Sequence, residues 1–395
     1  MTGAEERIAG GRTGLLRLLS DERVQGWAWQ LVLAIAIVAA VTFFAHNAAE
    51  NLSRRGGSFG LGFLWQIAGF DIPFKLFDYG PTNLYGRALL VAFANTILIS
   101  ILAIAGATFL GFLLGVMRLS TNWLVRNLAF SITELIRNTP QLLQIIFWYV
   151  AVMQTLPSPR QSLKAGEAIF LNIRGVYMPA VVWADWAVPA SAGLLATLVA
   201  GAALWRVRTR FAGPARATIA PIGPALAVAG AFAFFASGTI AGLDYPELQG
   251  FNFRGGLRIT PELVALWLGL SIYSAVFIGE IVRGAVEGIS WGQTEAARSL
   301  GLSRAQTLRL VIIPQALRII IPPMTSQYLN IIKSSSLGAA VAYPELFQIF
   351  GGTVLNQSGR AIEVMGILMA IFLVINLATS ALMNWYNRHV AIKER

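Results

Sequence analysis

Long charge-free stretches alternate with short arginine-bearing segments along the whole chain. A bilayer core takes about 20 apolar residues per helix, and stretches of that order lie at 27–45, 87–118, 128–156, 186–205, 218–243, 263–282, 319–342 and 364–385. The second has no charge between Arg87 and Arg118. The third contains Glu134 and Arg137, and the seventh is interrupted by Lys333. The pattern predicts an all-α polytopic membrane protein with about eight transmembrane helices. The first stretch is longer than the roughly 7–15-residue apolar run of a cleaved leader, which favours an uncleaved anchor.

Composition sharpens this picture. Hydrophobic residues make up 56% of the 395 positions and charged residues 12%, against about 25% charged residues in soluble domains. So few charges cannot clothe a water-facing surface, so lipid is the main solvent. The net charge of +11 would suggest nucleic acid on a soluble protein. Here the arginines flank the spans and anchor them, and no nucleic-acid partner is expected. Cysteine is absent, which removes disulfides and thiolate metal sites. His46 and His389 stand apart without nearby ligand partners, so no metal site is expected. No Gly-x-x-x-x-Gly-Lys-Ser/Thr loop occurs, so no nucleotide is expected to bind in the usual way; no cofactor and no catalytic residue are expected in this chain. Energy must come from another chain or from an ion gradient.

Orientation follows from the Lys/Arg bias of short loops. With the N-terminus inside, the inner segments hold Arg7, Arg12, Arg17 and Arg23; Arg118 and Arg126; Arg206, Arg208, Arg210 and Arg216; Arg283, Arg298, Arg304, Arg309 and Arg318; and Arg388, Lys393 and Arg395. The outer segments hold fewer. Both termini are therefore expected in the cytoplasm, with the 206–216 cluster as the strongest single indicator.

The inner segment 284–318 is the most informative. Ser290-Trp-Gly-Gln293 and Ser303-Arg-Ala-Gln306 both match a capping box, in which Ser accepts from a first-turn amide and Gln reaches back. Gly301 stands between them, where a left-handed helix end is expected. The reading is a helix over 291–300, a corner at Gly301, a second helix over 304–312, and a stop before Pro314. Ala296 and Ala297 let a partner surface approach closely. An interfacial loop with no partner also fits this pattern.

At these residues the chain resembles the permease subunits of binding-protein-dependent ABC importers. That family carries Glu-Ala-Ala, three residues, Gly, nine residues, Ile, any residue, Leu-Pro. Glu295, Ala296, Ala297, Gly301 and Pro314 match, and Val311 and Ile313 stand in conservatively. Further words resemble the polar amino-acid subgroup: Glu134-Leu-Ile-Arg-Asn-Thr-Pro140, Glu280-Ile-Val-Arg283, Gly292-Gln-Thr-Glu295, Pro314-Gln-Ala-Leu-Arg318 and Lys333-Ser-Ser-Ser-Leu337. Ser334 replaces the Asn usual in the last. The long permeases of general L-amino-acid importers are similar over nearly the whole chain. The resemblance implies a five-helix core, a second permease subunit in a heterodimer, two ATPase subunits, a periplasmic amino-acid-binding protein and a bacterial inner-membrane location. It also implies that Gln293, Glu295, Ala296, Ala297, Gly301 and Pro314 belong to the coupling segment that docks on an ATPase. The chain then divides into an N-terminal tail with an extra helix and periplasmic segment (1–86), the first part of the core (87–156), an insertion with two extra helices (157–259), and the second part of the core with the coupling loop (260–395).

Polar residues within the spans are candidate pathway residues. Glu134 and Arg137 are three apart, as are Glu280 and Arg283, so each pair can neutralise itself on one helix face; a structural pair or a gate both fit. Thr139-Pro140 marks either a kink or a helix start. In the seventh span Gln327, Asn330 and Ser334 recur at helical spacing beside Lys333, and this face is expected to look into the bundle because lipid would not tolerate it. Interhelical hydrogen bonding uses the same residue types. Lys333 can counter a substrate carboxylate or snorkel to the interface.

The insertion carries an echo, Asn172-Ile-Arg-Gly175 and Asn252-Phe-Arg-Gly255. Apolar residues beside each word are expected to bring the two together as a small extended cap, with Arg174 and Arg254 offered to a binding protein. Three functions compete at this stage: an ABC import permease, an ion-coupled secondary amino acid transporter, and a membrane scaffold. A secondary transporter would show two hydropathy repeats, and the two Glu-x-x-Arg words are too little to make one.

Overall fold

A computed structural model of the chain describes residues 22–54, 60–184, 187–207, 221–236 and 240–390. Arg7, Arg12, Arg17, Arg208, Arg210, Arg216, Lys393 and Arg395, used above for orientation, lie outside the described residues. The architecture is mostly helical. Five described helices are long and apolar enough to cross a membrane, and three shorter apolar helices cover Gln141–Thr155, Gly193–Leu204 and Ile222–Phe234. Of the eight expected stretches, five are long enough to cross, and the third, fourth and fifth carry only the shorter helices.

Helix α1 (Glu22–Arg54) is followed by an irregular segment over 60–84 that opens with a 3-10 turn at Leu61–Trp65. That segment buries Phe63, Ile72 and Tyr79 against α2 (Tyr85–Arg118) and the 350–375 region in one core cluster. At 1.5 Å per residue α2 is about 51 Å long, more than the roughly 30 Å of hydrocarbon it must cross.

Helix α7 (Pro261–Glu287) starts with Pro at its first turn, where a missing amide is harmless. The Thr260 hydroxyl accepts from Leu263 N–H at 3.4 Å, and Glu262 stands in the first turn. α2 and α7 pack along most of their length because glycines remove the side chains between them. A Cβ on Gly111 would lie 2.6 Å from Ile278, and one on Gly115 2.7 Å from Val282. Gly279 backs onto the Gly111 carbonyl and the Gly115 amide from the other side. Close backbone approach of this kind is how helices bind in lipid, where apolar burial alone gives no drive. Contacts ascend together along both helices, so α2 and α7 run parallel.

The third apolar stretch is two elements. α3 (Trp123–Arg137) is capped by Asn122, whose Oδ1 accepts from Leu124 and Val125 N–H. α4 (Gln141–Ile146) restarts after Pro140 and runs on through π and 3-10 turns to Thr155. Of the two readings of Thr139-Pro140, the structure takes the helix start.

The insertion departs from all-helical structure. Strands β1 (Leu163–Ala165), β2 (Ile169–Asn172) and β3 (Gly175–Met178) form an antiparallel sheet closed by β8 (Leu257–Ile259), in the order β1-β2-β3-β8. β4 (Ala180–Trp183) pairs with β5 (Ile240–Asp244), and β6 (Glu247–Gln249) with β7 (Asn252–Arg254). These stretches are three to five residues long, too short for a hydropathy reading aimed at spans. Between them α5 (Ala187–Val207) and α6 (Ile222–Ala236) pack on each other, Gly201 against the Gly223 carbonyl and Gly230 against Thr197.

After α7 come α8 (Trp291–Ser299) and α9 (Arg304–Thr307). A π turn at Leu308–Ile312 joins α9 to α10 (Ile313–Ser334), and a 3-10 segment continues to Val341. The predicted stop before Pro314 is corrected: the helix runs through it. Pro314 has no N–H and its ring crowds the carbonyl four residues back; the wider π turn immediately before it relieves both demands. A further π turn (Phe347–Val354) leads into α11 (Leu355–Ser358), and α12 (Ala361–Val390) ends the described chain.

Candidate coupling corner and polar helix face

α8 and α9 meet at a corner built by Gly301. Its φ of 76° is left-handed, where an L side chain is strained and glycine is not. Leu302 N–H donates to the Ala297 carbonyl at 3.1 Å and Gly301 N–H to Arg298 at 2.9 Å, the paired bonds that close a helix end of this type. The second capping box is present: Ser303 Oγ accepts from Gln306 N–H, and Gln306 Oε1 accepts from Ser303 N–H at 2.9 Å. The first is corrected. Ser290 makes no side-chain cap bond, and the Gln293 side chain, which would have reached back, accepts from Gln315 Nε2 at 3.3 Å instead. That bond ties α8 to the first turn of α10. The two alanines split: Ala297 is buried and Ala296 is exposed. Beside Ala296 and Glu295, Trp291 (66% exposed) and Leu300 (81% exposed) present apolar surface. Trp291 Nε1 donates to Glu295 Oε1 at 3.0 Å, which fixes the indole on the helix.

The Glu-x-x-Arg pairs differ. Arg137 Nη1 lies 3.7 Å from Glu134 Oε1, both well exposed. Such a pair contributes little by itself. Asn138 Nδ2 donates to the Glu134 carbonyl, and Gln144 Nε2 reaches back to Ile136 O and Thr139 Oγ1, so side chains satisfy the break between α3 and α4. Glu280, by contrast, is shared. Its Oε2 accepts from Arg283, and its Oε1 lies 3.1 Å from Arg118 Nη1 at the end of α2.

The α10 face runs opposite to expectation. Ile331 and Ile332 are buried in the bundle, whereas Asn330 and Lys333 are exposed and Gln327 and Ser334 half-buried. The polar face looks out of this chain. A helix turns its apolar stripe toward whatever covers it, and within one subunit the apolar face is the covered one. Beyond α10 and its 3-10 extension the chain is anchored to α2: Asn95 Nδ2 donates to Pro344 O at 2.9 Å, Tyr343 Oη donates to Asn95 O at 3.1 Å, and Leu346 N–H donates to Thr96 Oγ1 at 3.0 Å. Next to this anchor Glu345 is fully buried and accepts from Phe347 and Gln348 N–H. Burial pushes its carboxyl up to about 7, against the pull of those two bonds.

The second echo word packs against strands β2 and β3 on either side of the first, and the two have different roles. Asn172–Gly175 closes a hairpin between β2 and β3, with Asn172 Oδ1 accepting from Arg174 N–H at 2.9 Å. Asn252–Arg254 is strand β7. Phe253 packs between Phe170 and Tyr177, with ring centroids at 4.6 and 5.0 Å, and Tyr177 Oη donates to Asn252 Oδ1 at 3.0 Å. Arg174 and Arg254 are both exposed. Sequence reasoning missed Arg118 as a partner of Glu280, the exposed Trp291, and the α2–α7 seam. The seam had a signal, Gly111 and Gly115 four apart in an apolar stretch.

A polytopic helical chain with a capped corner between two of its helices defines a class, and residues 107–392 match the family described as binding-protein-dependent transport system inner membrane component. The chain belongs to that family, the membrane-spanning permease subunits of ABC importers. It is 46% identical over 380 residues to the putative amino-acid ABC transporter permease protein YhdX of Escherichia coli, covering 95% of this chain and 96% of that one. It is 40% identical to the general L-amino acid transport system permease protein AapQ of Rhizobium johnstonii, over 95% of this chain and 94% of that one. It is also 38% identical to the glutamate/glutamine/aspartate/asparagine transport system permease protein BztB of Rhodobacter capsulatus, over 96% and 97%. Among solved structures, an amino acid ABC transporter crystallised with histidines aligns at 20% identity with a TM-score of 0.48, over 77% of this chain and 95% of that one.

Proposed function

We propose that the chain is the permease through which an ABC importer carries polar L-amino acids across the bacterial inner membrane. The observation that carries this reading is the Gly301 corner, a short exposed helix at a fixed angle in a membrane-spanning chain. Gln293, Glu295, Ala296, Ala297, Gly301 and Pro314 set its shape, and Trp291, Ala296 and Leu300 are the surface that enters a groove on an ATPase subunit. ATP is hydrolysed there, on two such subunits, and this chain holds no cofactor. Both termini and α8 are cytoplasmic. The relatives named for general and acidic or amide amino acids support the cargo class.

The outward polar face of α10 makes a heterodimer the natural assembly. A path between two permeases would be lined by Gln327, Asn330, Lys333 and Ser334, with Lys333 facing the substrate carboxylate, and Glu134 and Arg137 near its inner end. Arg174 and Arg254, on the strand-built cap, would meet acidic groups of a periplasmic binding protein. The test is uptake into sealed vesicles holding the assembled transporter. Uptake is expected with ATP and binding protein in the absence of any ion gradient. Uptake that needs a gradient and ignores ATP would overturn the reading in favour of a secondary transporter.

A further inference from the structure

We propose that Arg118, Glu280 and Arg283 pin α2 and α7 into one rigid lever at the end where the coupling corner pushes. The inference rests on the coupling role of α8 proposed above. α7 ends at Glu287, and α8 begins at Trp291, so force on the corner reaches α10 through the π turn and the Gln293–Gln315 bond, and reaches the last turns of α7 directly. At that point Glu280 uses one carboxylate oxygen for each neighbour: Oε1 lies 3.1 Å from Arg118 Nη1 on α2, and Oε2 accepts from Arg283 Nη2 at 2.9 Å and Nε at 3.1 Å on α7. Arg283 also binds Glu287, one turn nearer the corner. The Arg118 guanidinium lies 4.9 Å from the centroid of the Phe130 ring on α3. Three helices therefore meet on one arginine, whose side chain is only 12% exposed.

The glycine seam already holds α2 and α7 together, and apolar side chains would hold their ends at less desolvation cost than an ion pair. What the charges add is Coulombic attraction across the loaded end: Arg118 Nη1 and Glu280 Oε1 form a close ion pair without hydrogen-bond alignment and have no other hydrogen-bond partner, so the pair holds the two helix ends together where Gly115 and Val282 alone resist sliding only by shape. The lever hands the motion to α3 through Phe130, and α3 leads into the break at 138–140 where α4 begins.

The experiment uses the complete transporter, assembled with cysteine-free partner subunits in proteoliposomes, and the chain's own lack of cysteine. Arg118→Cys with Glu280→Cys should lower the ratio of binding-protein-stimulated to basal ATP hydrolysis by about fivefold or more, the low end of coupling between distant sites, with basal hydrolysis unchanged. Bridging the two thiols after assembly with a short bis-maleimide should restore both the ratio and uptake. Restoration after folding separates a mechanical role from a folding one. Glu280→Gln reads the same ratio should the double variant fail to assemble. An unchanged ratio, or a bridged form that stays uncoupled, overturns the pin. Gly301→Val is run beside them: if it is uncoupled while the 118/280 variants are not, the pin alone is wrong, and if all remain coupled the docking role of α8 falls with it.

Discussion

Helices α7 and α10 are neighbours in one bundle and are finished in opposite ways. α7 is covered by its own chain: more than half of its membrane-crossing stretch is buried, and glycines let α2 lie directly on its backbone. α10 is covered on one side only. Its stretch is half as buried as that of α7, and Asn330 and Lys333 stand exposed where lipid would have to solvate them. Charged and amide groups in hydrocarbon carry a penalty of several kcal/mol. The comparison teaches that α7 belongs to a core this chain completes by itself, whereas α10 keeps a polar face that this chain does not cover.

The largest expected effect lies on the completed side. Gly111→Leu places a side chain where a Cβ already meets Ile278 at 2.6 Å and the Ala275 carbonyl at 2.9 Å. Overpacking of this order costs about 3 kcal/mol, and it should appear as a lowered thermal midpoint in detergent. Gly366→Ala, with nothing near its Cβ position, should stay within about 0.5 kcal/mol. Equal effects from the two would mean that the seam does not hold α7 to α2. Next comes the corner between the two helices. Gly301→Val strains a left-handed backbone by roughly 1–2 kcal/mol. Insertion and expression should stay normal while binding-protein-stimulated ATP hydrolysis is lost; wild-type stimulation would sink the coupling role.

A smaller effect is expected where the loop beyond α10 is tied to α2. Burial raises Glu345 from an ordinary value of 4.5 to about 7. A raised carboxyl favours the protonated fold, so its contribution is intact below about pH 4.5 and lost as pH rises through about 7. Glu345→Gln removes that titration. The fall in thermal midpoint between those pH values should flatten in the variant, and parallel pH curves for both proteins would refute the assignment. The smallest perturbation is the most direct test of the comparison. In this chain without native cysteine, Asn330→Cys and Lys333→Cys should react with a water-soluble maleimide and Ile331→Cys should not. Without the second permease, lipid in place of water against that face should slow the first two. Reaction at 331 as fast as at 330 would remove the one-sided face.

Much of the corner was legible beforehand because its determinants are local. Gly301 and the Ser303–Gln306 box act within a turn of themselves, and a helix end is decided by a few backbone angles and two hydrogen bonds. Ser290 shows the limit of that logic: its motif is intact, yet Gln315, distant in sequence, takes the Gln293 side chain. Pro314 shows another, since a π turn absorbs what a propensity reading treats as a stop.

By itself, then, the sequence determined the five long apolar helices, the left-handed corner, and the polar stripe on α10, because hydropathy, φ preference and helical period are properties of neighbouring residues. Only the tertiary structure decided where those features point. It turned the Gln327–Ser334 face outward, gave Arg118 to Glu280 across two helices, and set Phe253 between Phe170 and Tyr177. Each of these depends on which surfaces the fold brings within a few ångströms of one another, and contacts between residues far apart in the chain leave no periodic trace along it.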